Sequence, residues 1–436
     1  MRLRLLTYIL LGYLTTGYYS DLVGQTDSTN YGNTPEELLP FGRFQNPYIH
    51  FFEEPMEFRG SGRDKKPPSN LESVKIGFLG PLEGTIQAPM GNQMLQGTIL
   101  AVEEANENGG YKGIPFEIVA RNDVGLWGAA ANEVVRLDDE GVWAIIGSIN
   151  DIVSHVAIRV ALKLEIPWIN TGDPDPTFTE TRIPWVIRVI GDDRQSGYTL
   201  AIEIFKSKGY SDVALFRVNN RYGRVGIMEF NDAATRMGYP LNLHIRYGEG
   251  ETDFTTQLER IKKSRAEAVV LWTNNGEEAA MIIKQMRDMD MDQSVYACDR
   301  VVTPEFLEHA GNLANGVVST YPYNPTLNDP KLQAFNKKYR ERFGMDPDVF
   351  AAHAYDGMCM VVEAINNVGL NRVLIRDVLT DLKTFQGYNG VTGKIVFDAS
   401  WNDIGKIWLV EVVNGDFVFK PSPVSKFKLT GRVSNK

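Results

Sequence analysis

Residues 74–106 read VKIGFLGPLEGTIQAPMGNQMLQGTILAVEEAN, and the rest of the chain is organised around this stretch. Its first part, 74–80, is a short apolar run closed by Gly80-Pro81, which reads as a buried strand of a parallel sheet. A polar, glycine-containing loop follows. Met94, Thr98, Ala101, Val102 and Ala105 then recur at helical spacing, and Asn108-Gly109-Gly110 ends the helix. A strand that meets a helix through a long loop places that loop at the carboxyl edge of the sheet, where open α/β folds hold their ligands.

The same unit repeats outward from there. Strands are expected at 116–120, 142–147 and 166–170, with helices at 128–140 and 152–163. The turns 148–151 and 171–177 add to the same rim. The run 185–190 leads into a second series, with helices 196–208, 223–237, 254–265 and 277–289 and strands 213–218, 241–246, 268–272 and 294–297. Two consecutive βαβ series predict an α/β protein of two doubly wound parallel-sheet lobes, because parallel strands need right-handed helical crossovers.

Asp329-Pro330 then signals a helix start, Asp as N-cap and Pro at the first helical position. Helices 331–343, 347–368 and 372–382 follow without strands between them, so the chain is expected to return over the first lobe. The segments 395–397 and 407–413 are expected to close as a hairpin-like pair around Asn402-Asp403 and Gly405. The first lobe then takes 73–191 and 324–393, the second 192–323 and 394–430. A multi-crossing hinge joins them and a cleft lies between, the geometry of closure on a ligand.

Composition limits what such a protein can do. The 436 residues are 43% apolar and 23% charged, ordinary for a globular chain with room for more than one core. A net charge of −10 argues against nucleic acid and against an anionic membrane surface as partners. Residues 1–20 carry Arg2 and Arg4, an apolar core at 5–14 and small residues at Thr15, Thr16 and Gly17, the layout of a secretory signal cleaved after Gly17. A buried amino-terminal helix or a retained anchor is the alternative reading. No later segment is long and apolar enough to cross a membrane, so a soluble exported (periplasmic or secreted) chain is expected. Residues 21–72 read as an extended segment with an aromatic island at 41–58 and a flexible linker at 63–69, RDKKPPS. Cys298 and Cys359 fit either a disulfide or two buried free thiols. No metal-ligand spacing is present, and no cofactor is implied.

The ordered set IGFLGPLEG, GNQMLQGTILAVEEANENGGYKG, VWAIIGS, IPWINTG, NNRYGRVG, TDFTTQLERIKKSRAEAVVLW, YACD, HAYDG and VTGKIVFDASWND resembles the type I periplasmic solute-binding proteins of the leucine/isoleucine/valine-binding kind. The likeness runs from about Ser73 to about Phe419. It implies that an amino acid sits between the lobes, its carboxylate on hydroxyls and N–H groups of two first-lobe loops and its amine on an acid of the second lobe. Carried over, those loops are 148–151, with Asn150 and Asp151, and 171–173, with Thr171, Gly172 and Asp173. The tyrosine that closes over the ligand matches Tyr222, the amine-binding acid matches Asp299, and the side-chain pocket includes Met90.

The chain departs from that pattern. Ser148-Ile149-Asn150-Asp151 replaces a serine-rich turn, and Gly172-Asp173-Pro174-Asp175 replaces a Gly-Ala-Thr type turn. Carboxylates are acceptors only and repel a ligand carboxylate unless protonated or bridged. Asp151, Asp173 and Asp299 favour a ligand with an amine, amide, guanidine or many hydroxyls, and Asn150, Asn274 and Asn275 add amide donors and acceptors. An N-cap role is the common alternative for each acid at a strand-to-helix turn. Trp127 is expected to pack beneath its loop, with stacking on a ligand as the alternative. His155 and His353 are expected to be hydrogen-bonded helix residues.

Enzyme readings find no support: there is no dinucleotide fingerprint, no Walker A sequence and no Gly-x-Ser-x-Gly elbow. The expected function is capture of a small polar solute (an amino acid, amine or amide) by a monomer that delivers it to an ABC permease. The alternative is a ligand-sensing receptor of the same fold without a transport role.

Overall fold

The computed structural model describes residue 56 and residues 60–426. The expected signal segment 1–20, and the aromatic island apart from Met56, lie outside the described residues.

In the first lobe β1 (Val74–Gly80), α1 (Ala88–Glu107), β2 (Phe116–Asn122), α2 (Trp127–Asp139), β3 (Ile145–Gly147), α3 (Asp151–Leu164), β4 (Trp168–Asn170), α4 (Thr177–Glu180) and β5 (Val186–Arg188) follow one another. The strands form a parallel sheet in the order β2-β1-β3-β4-β5. The winding reverses between β1 and β3, so the loops after these two strands part and leave a crevice at the carboxyl edge. Val74, Ile76, Phe78 and Leu79 of β1 are all fully buried, which is why this strand reads as an unbroken apolar run. Helix α1 begins at Ala88, ahead of the apolar series that starts at Met94, and the loop after β1 is correspondingly short. Pro89 is tolerated there because the first turn has N–H groups to spare. Met90 therefore sits on the helix rather than in the loop.

The second lobe runs through α5 (Asp193–Ala201), β6 (Val213–Val218), α6 (Arg221–Arg236), β7 (His244–Tyr247), α7 (Thr255–Lys262), β8 (Ala268–Trp272), α8 (Gly276–Asp288), β9 (Ser294–Ala297), α9 (Pro304–Ala310) and β10 (Val318–Tyr321). Then come α10 (Pro330–Phe343), α11 (Val349–Val368), α12 (Arg372–Thr380), β11 (Tyr388–Asn389), β12 (Lys394–Ile395), β13 (Trp408–Val413) and β14 (Asp416–Pro421). The second sheet is ordered β14-β13-β10-β9-β8-β6-β7, parallel except for β13 and β14. Helix α11 lies along α1 of the first lobe. Their backbones meet at Gly97, where a Cβ would fall 2.0 Å from the carbonyl oxygen of Ala351.

The expected pairing of 395–397 with 407–413 is not what forms. β12 pairs with β11, whereas β13 is held between β10 and β14 in the second sheet. Two features drive this: β10 offers a free edge, and Asn414-Gly415, both at positive φ, make the tight turn that joins β13 to β14. The linker is also more ordered than expected. Asn371 Nδ2 donates to the carbonyls of Gly62, Arg63 and Lys65, each at 3.0 Å, and Ser61 donates to Glu165. Cys298 and Cys359 are both free thiols.

Connections cross between the lobes at 188–193, 321–330 and 395–408. Arg188, with no exposed surface, ties two of them together. Its Nε donates to Asn402 (2.7 Å), one Nη to Asp192 (2.9 Å) and the other to the carbonyl oxygens of Asp173 (3.3 Å) and Asp175 (2.5 Å). The hinge thus holds the loop after β4 from behind.

Candidate functional site

The first-lobe wall of the cleft is made by the loops after β3 and β4. Asn150 is the N-cap of α3, accepting from Val153 N at 3.1 Å, and its amide reaches Gln87 at 3.4 Å. Asp151 follows in the first helical turn, where its Oδ1 accepts from Ile152 N at 2.7 Å. After β4, Asn170 Oδ1 accepts from the N–H groups of Gly172 (3.2 Å) and Asp173 (2.9 Å), and Asp173 Oδ1 accepts from Asp175 N at 3.0 Å. This chain of Asx turns packs three carboxylates, Asp151, Asp173 and Asp175, into one buried corner. A Cβ at Gly172 would lie 2.5 Å from Met94 Cε and 2.9 Å from Ile149 Cγ1, so a side chain there would require both neighbours to shift.

The second-lobe wall carries Tyr222 and Asp299. The tyrosine hydroxyl donates to Asp299 Oδ1 at 2.9 Å. Each has an arginine beside it that the sequence reading did not single out. Arg221 reaches across to the first lobe, donating to Asp175 Oδ2 at 2.8 and 2.5 Å and to Thr177 at 3.0 Å, and lying 3.5 Å from Asp151 Oδ2. Arg300 lies over the rings of Tyr222 and Phe350, 4.9 and 5.3 Å from their centroids, and one Nη donates to Met90 Sδ of the first lobe at 2.8 Å. Tyr222, Asp299, Met90, Asp151 and Asp173 therefore gather about one interlobe gap.

Asn274 and Asn275 are engaged within the second lobe. Asn275 caps α8 through Glu278 N (2.9 Å), and Asn274 donates to Glu278 (3.1 Å) and accepts from Asn220 (2.8 Å). Trp127 does not pack beneath its loop: it is 61% exposed, beside exposed Leu126 on the first-lobe rim. His353 is a buried helix residue that donates to the Val349 carbonyl, as expected. His155 makes the same bond to the Asp151 carbonyl (2.7 Å), and its other nitrogen lies 3.0 Å from Thr177 Oγ1, so it belongs to the cleft network.

The electrostatics set this gap apart. Asp151 Oδ2, Thr171 Oγ1, Asp173 Oδ2, Asp193 Oδ2 and Arg300 Nε are buried without a hydrogen-bond partner among the described residues. Burial, then the neighbouring acids, push Asp151 and Asp173 up to about 7. Burial and the carboxylates of Asp299, Asp175 and Asp192 hold Asp193 well above the usual range. Asp175 ends below it: burial pushes its carboxyl up, but His155, Arg221 and Thr177 outweigh that. Buried polar groups are nearly always satisfied, so several orphans facing one gap mark a place built for something else to complete. A second cavity, of about 240 Å³, lies at the opposite edge of the first sheet against Lys65, Trp143 and Arg372. None of its lining side chains carries such an orphan among the described residues, whereas Glu180 Oε2 and Ser400 Oγ, beside a small pocket lined by Asp192, Arg194 and Asp398, do.

Over residues 73–416 the sequence matches the family described as periplasmic binding protein. The chain belongs to that family. This binding protein is 28% identical over 333 residues, 76% of its chain and 88% of the relative, to Leu/Ile/Val-binding protein homolog 2 of Brucella abortus strain 2308. It is 28% identical over 307 residues, 69% and 80% of the two chains, to an amino acid binding protein of Pseudomonas aeruginosa. Among solved structures it is similar to the branched-chain amino acid transporter substrate-binding protein LivJ of Streptococcus pneumoniae in complex with isoleucine. There the identity is 25% and the TM-score 0.71, over 80% of this chain and 99% of that one. The leucine-binding protein LivK of Thermotoga maritima gives 25% identity and a TM-score of 0.72 over 81% and 99%. The type I, leucine/isoleucine/valine-binding kind implied by the resemblance is thus the family of this binding protein, and its relatives are solute-binding proteins, not enzymes.

Proposed function

We propose that this periplasmic binding protein captures an amino acid, or a related amine or amide, between its lobes and hands it to an ABC permease outside the cytoplasm. The observation that carries the reading is the set of orphaned buried atoms, contributed by both lobes and by the hinge residue Asp193, around one interlobe gap. Asp151, Asp173 and Asp193, whose carboxyls burial raises, can accept or offer a proton there, Thr171 can do either, and Arg300 donates, which suits a small polar solute with both donors and acceptors. The amino-acid names of the relatives support the same solute class.

In this reading residues 1–20 direct export, the protein works as a monomer, and lobes 73–191 with 324–393 and 192–323 with 394–430 pivot on the hinge. Solute bridges both walls only when they are closed, so its binding energy shifts the open–closed population. Mass spectrometry of small molecules released from the denatured purified protein tests the reading, with calorimetry for each candidate recovered. An amine or amide that binds stoichiometrically is the expected result. Recovery of only amine-free carboxylic acids, binding at the same site, would overturn it.

A further inference from the structure

We infer that one buried water molecule is a built part of the hinge, held between Glu180 of the first lobe and Ser400 of the last crossing, and that it fastens the pivot on which the lobes turn.

The site lies away from the orphans of the cleft. Helix α4 of the first lobe ends at Glu180, α5 opens the second lobe with Arg194 and Gln195, and the crossing 395–408 contributes Asp398, Ser400 and Asn402. Together with Asp192 they line a cavity of about 10 Å³, the scale of a single water. Two of these side chains bring it a polar atom that has no hydrogen-bond partner among the described residues, Glu180 Oε2 and Ser400 Oγ. The Glu180 side chain is 7% exposed and Ser400 only 1%, so bulk solvent answers neither atom.

The neighbouring polar groups are committed elsewhere. Arg194 donates to Glu180 Oε1 at 2.5 Å and to Glu229 of α6 at 3.0 Å, a buried ion pair that crosses the lobe boundary. Asp192 takes Arg188 and Asn402 on one oxygen and the Gln195 N–H on the other. Gln195 Nε2 donates to the Gly405 carbonyl at 3.4 Å.

The chemistry selects water over an ion. A cation would sit against the Arg194 guanidinium, and no group of three or more His, Cys, Asp or Glu among the described residues is placed to hold a metal. An anion would face Glu180, Asp192 and Asp398. Water suits either state of Glu180, whose carboxyl burial pushes up despite Arg194. It donates to the carboxylate or accepts from the acid, and takes the complementary role with the Ser400 hydroxyl. The Asp398 carboxylate in the same wall accepts a remaining proton. Such a water ties α4 to the last crossing without help from Arg188 or from any solute.

The test is a crystal structure of the full mature protein at a resolution that shows ordered solvent, with melting curves and hydrogen exchange for wild type, Ser400→Ala and Ser400→Val. One density peak is expected at hydrogen-bond distance, about 2.6–3.2 Å, from both Glu180 Oε2 and Ser400 Oγ. Ser400→Val puts methyl groups where the water sits and strands Glu180 Oε2, so the melting temperature should fall by about 2–5 °C. Amides of 177–180 and 398–402 should then exchange roughly tenfold faster while those of β8 stay unchanged. Ser400→Ala keeps the space and should fall less. A dry cavity predicts the opposite sign, because valine would fill a void and raise the melting temperature. That result, or a Ser400 hydroxyl turned directly onto Glu180, overturns the inference. A wild-type melting temperature that rises in sodium or potassium chloride but not in tetramethylammonium chloride assigns the site to a cation and overturns it as well. Should Ser400→Val fail to fold, the wild-type density and the salt series decide.

Discussion

Arg188 at the hinge and Asp173 in the cleft are equally buried, and the first donates to the carbonyl of the second at 3.3 Å. Their surroundings differ in one respect. Every side-chain nitrogen of Arg188 finds an acceptor, in Asn402, Asp192 or the loop carbonyls, whereas Asp173 Oδ2 has no hydrogen-bond partner in the geometry of the described residues. Satisfied buried polarity at the hinge fixes geometry; unsatisfied polarity in the cleft stores a demand that a solute meets. Since the same arginine holds the backbone of the unsatisfied loop, the finished network positions the unfinished one.

Breaking the hinge side should have the largest effect. Arg188→Met strands Asp192, Asn402 and two loop carbonyls together, and removal of one partner from a buried ionic network typically costs about 3–5 kcal/mol. Urea denaturation is the measurement, and a loss below about 1 kcal/mol would show that the network is not structural. On the cleft side the sign should reverse. Asp173→Asn removes a carboxylate that burial disfavours, and should stabilise the solute-free protein at pH 8 by about 1–3 kcal/mol while weakening binding.

The pH dependence sharpens the contrast further. Asp151 and Asp173, raised to about 7, contribute stability that is fully present below the unfolded carboxylate value and is lost as pH rises through 7. Lowered His155 acts the other way below its ordinary value, and lowered Asp175 only in strong acid. Between pH 6.5 and 8 the acids dominate, so the melting temperature of solute-free wild type should fall, and should fall less in Asp173→Asn.

Arg221→Met removes a cation that pairs with Asp175 in the acidic corner and a direct tie between the walls. The pair is partly exposed, so a shift of about 1 kcal/mol toward the open form is expected, read as a larger radius of gyration by small-angle scattering without solute. Smallest of all, Asn371→Ala should leave global stability within about 1 kcal/mol and chiefly free the segment it holds, seen as faster tryptic cleavage at Arg63 and Lys65.

The fold was legible wherever burial imposes a simple pattern. β1, β6, β8 and β9 are apolar runs because both faces are covered, and their expected bounds agree with the observed strands. β10 was missed because Val318-Ser319-Thr320-Tyr321 mixes hydroxyls with apolar residues, and its absence from the reading misplaced β13. Asn414-Gly415 is the turn signal that marks β14, and Asn402-Asp403 imitates it nearby in the chain. In the cleft, Tyr222 and Asp299 came from the family pattern, but Arg221 and Arg300, one residue along from each, did not. Their roles depend on acids in the other lobe, and spacing along the chain carries no record of that pairing. A loop as acidic as 173–175 in an apolar setting was the available hint, since it calls for cations from somewhere.

The clamp of Asn371 on Gly62, Arg63 and Lys65 has a mechanical meaning. Glu165, which receives Ser61, directly precedes the β4 region, so the leading segment joins the first lobe at the amino edge of its sheet, opposite the edge that bears the cleft. A pull delivered through Gly62 and Lys65 therefore reaches the first lobe at its heel, on the side away from the cleft.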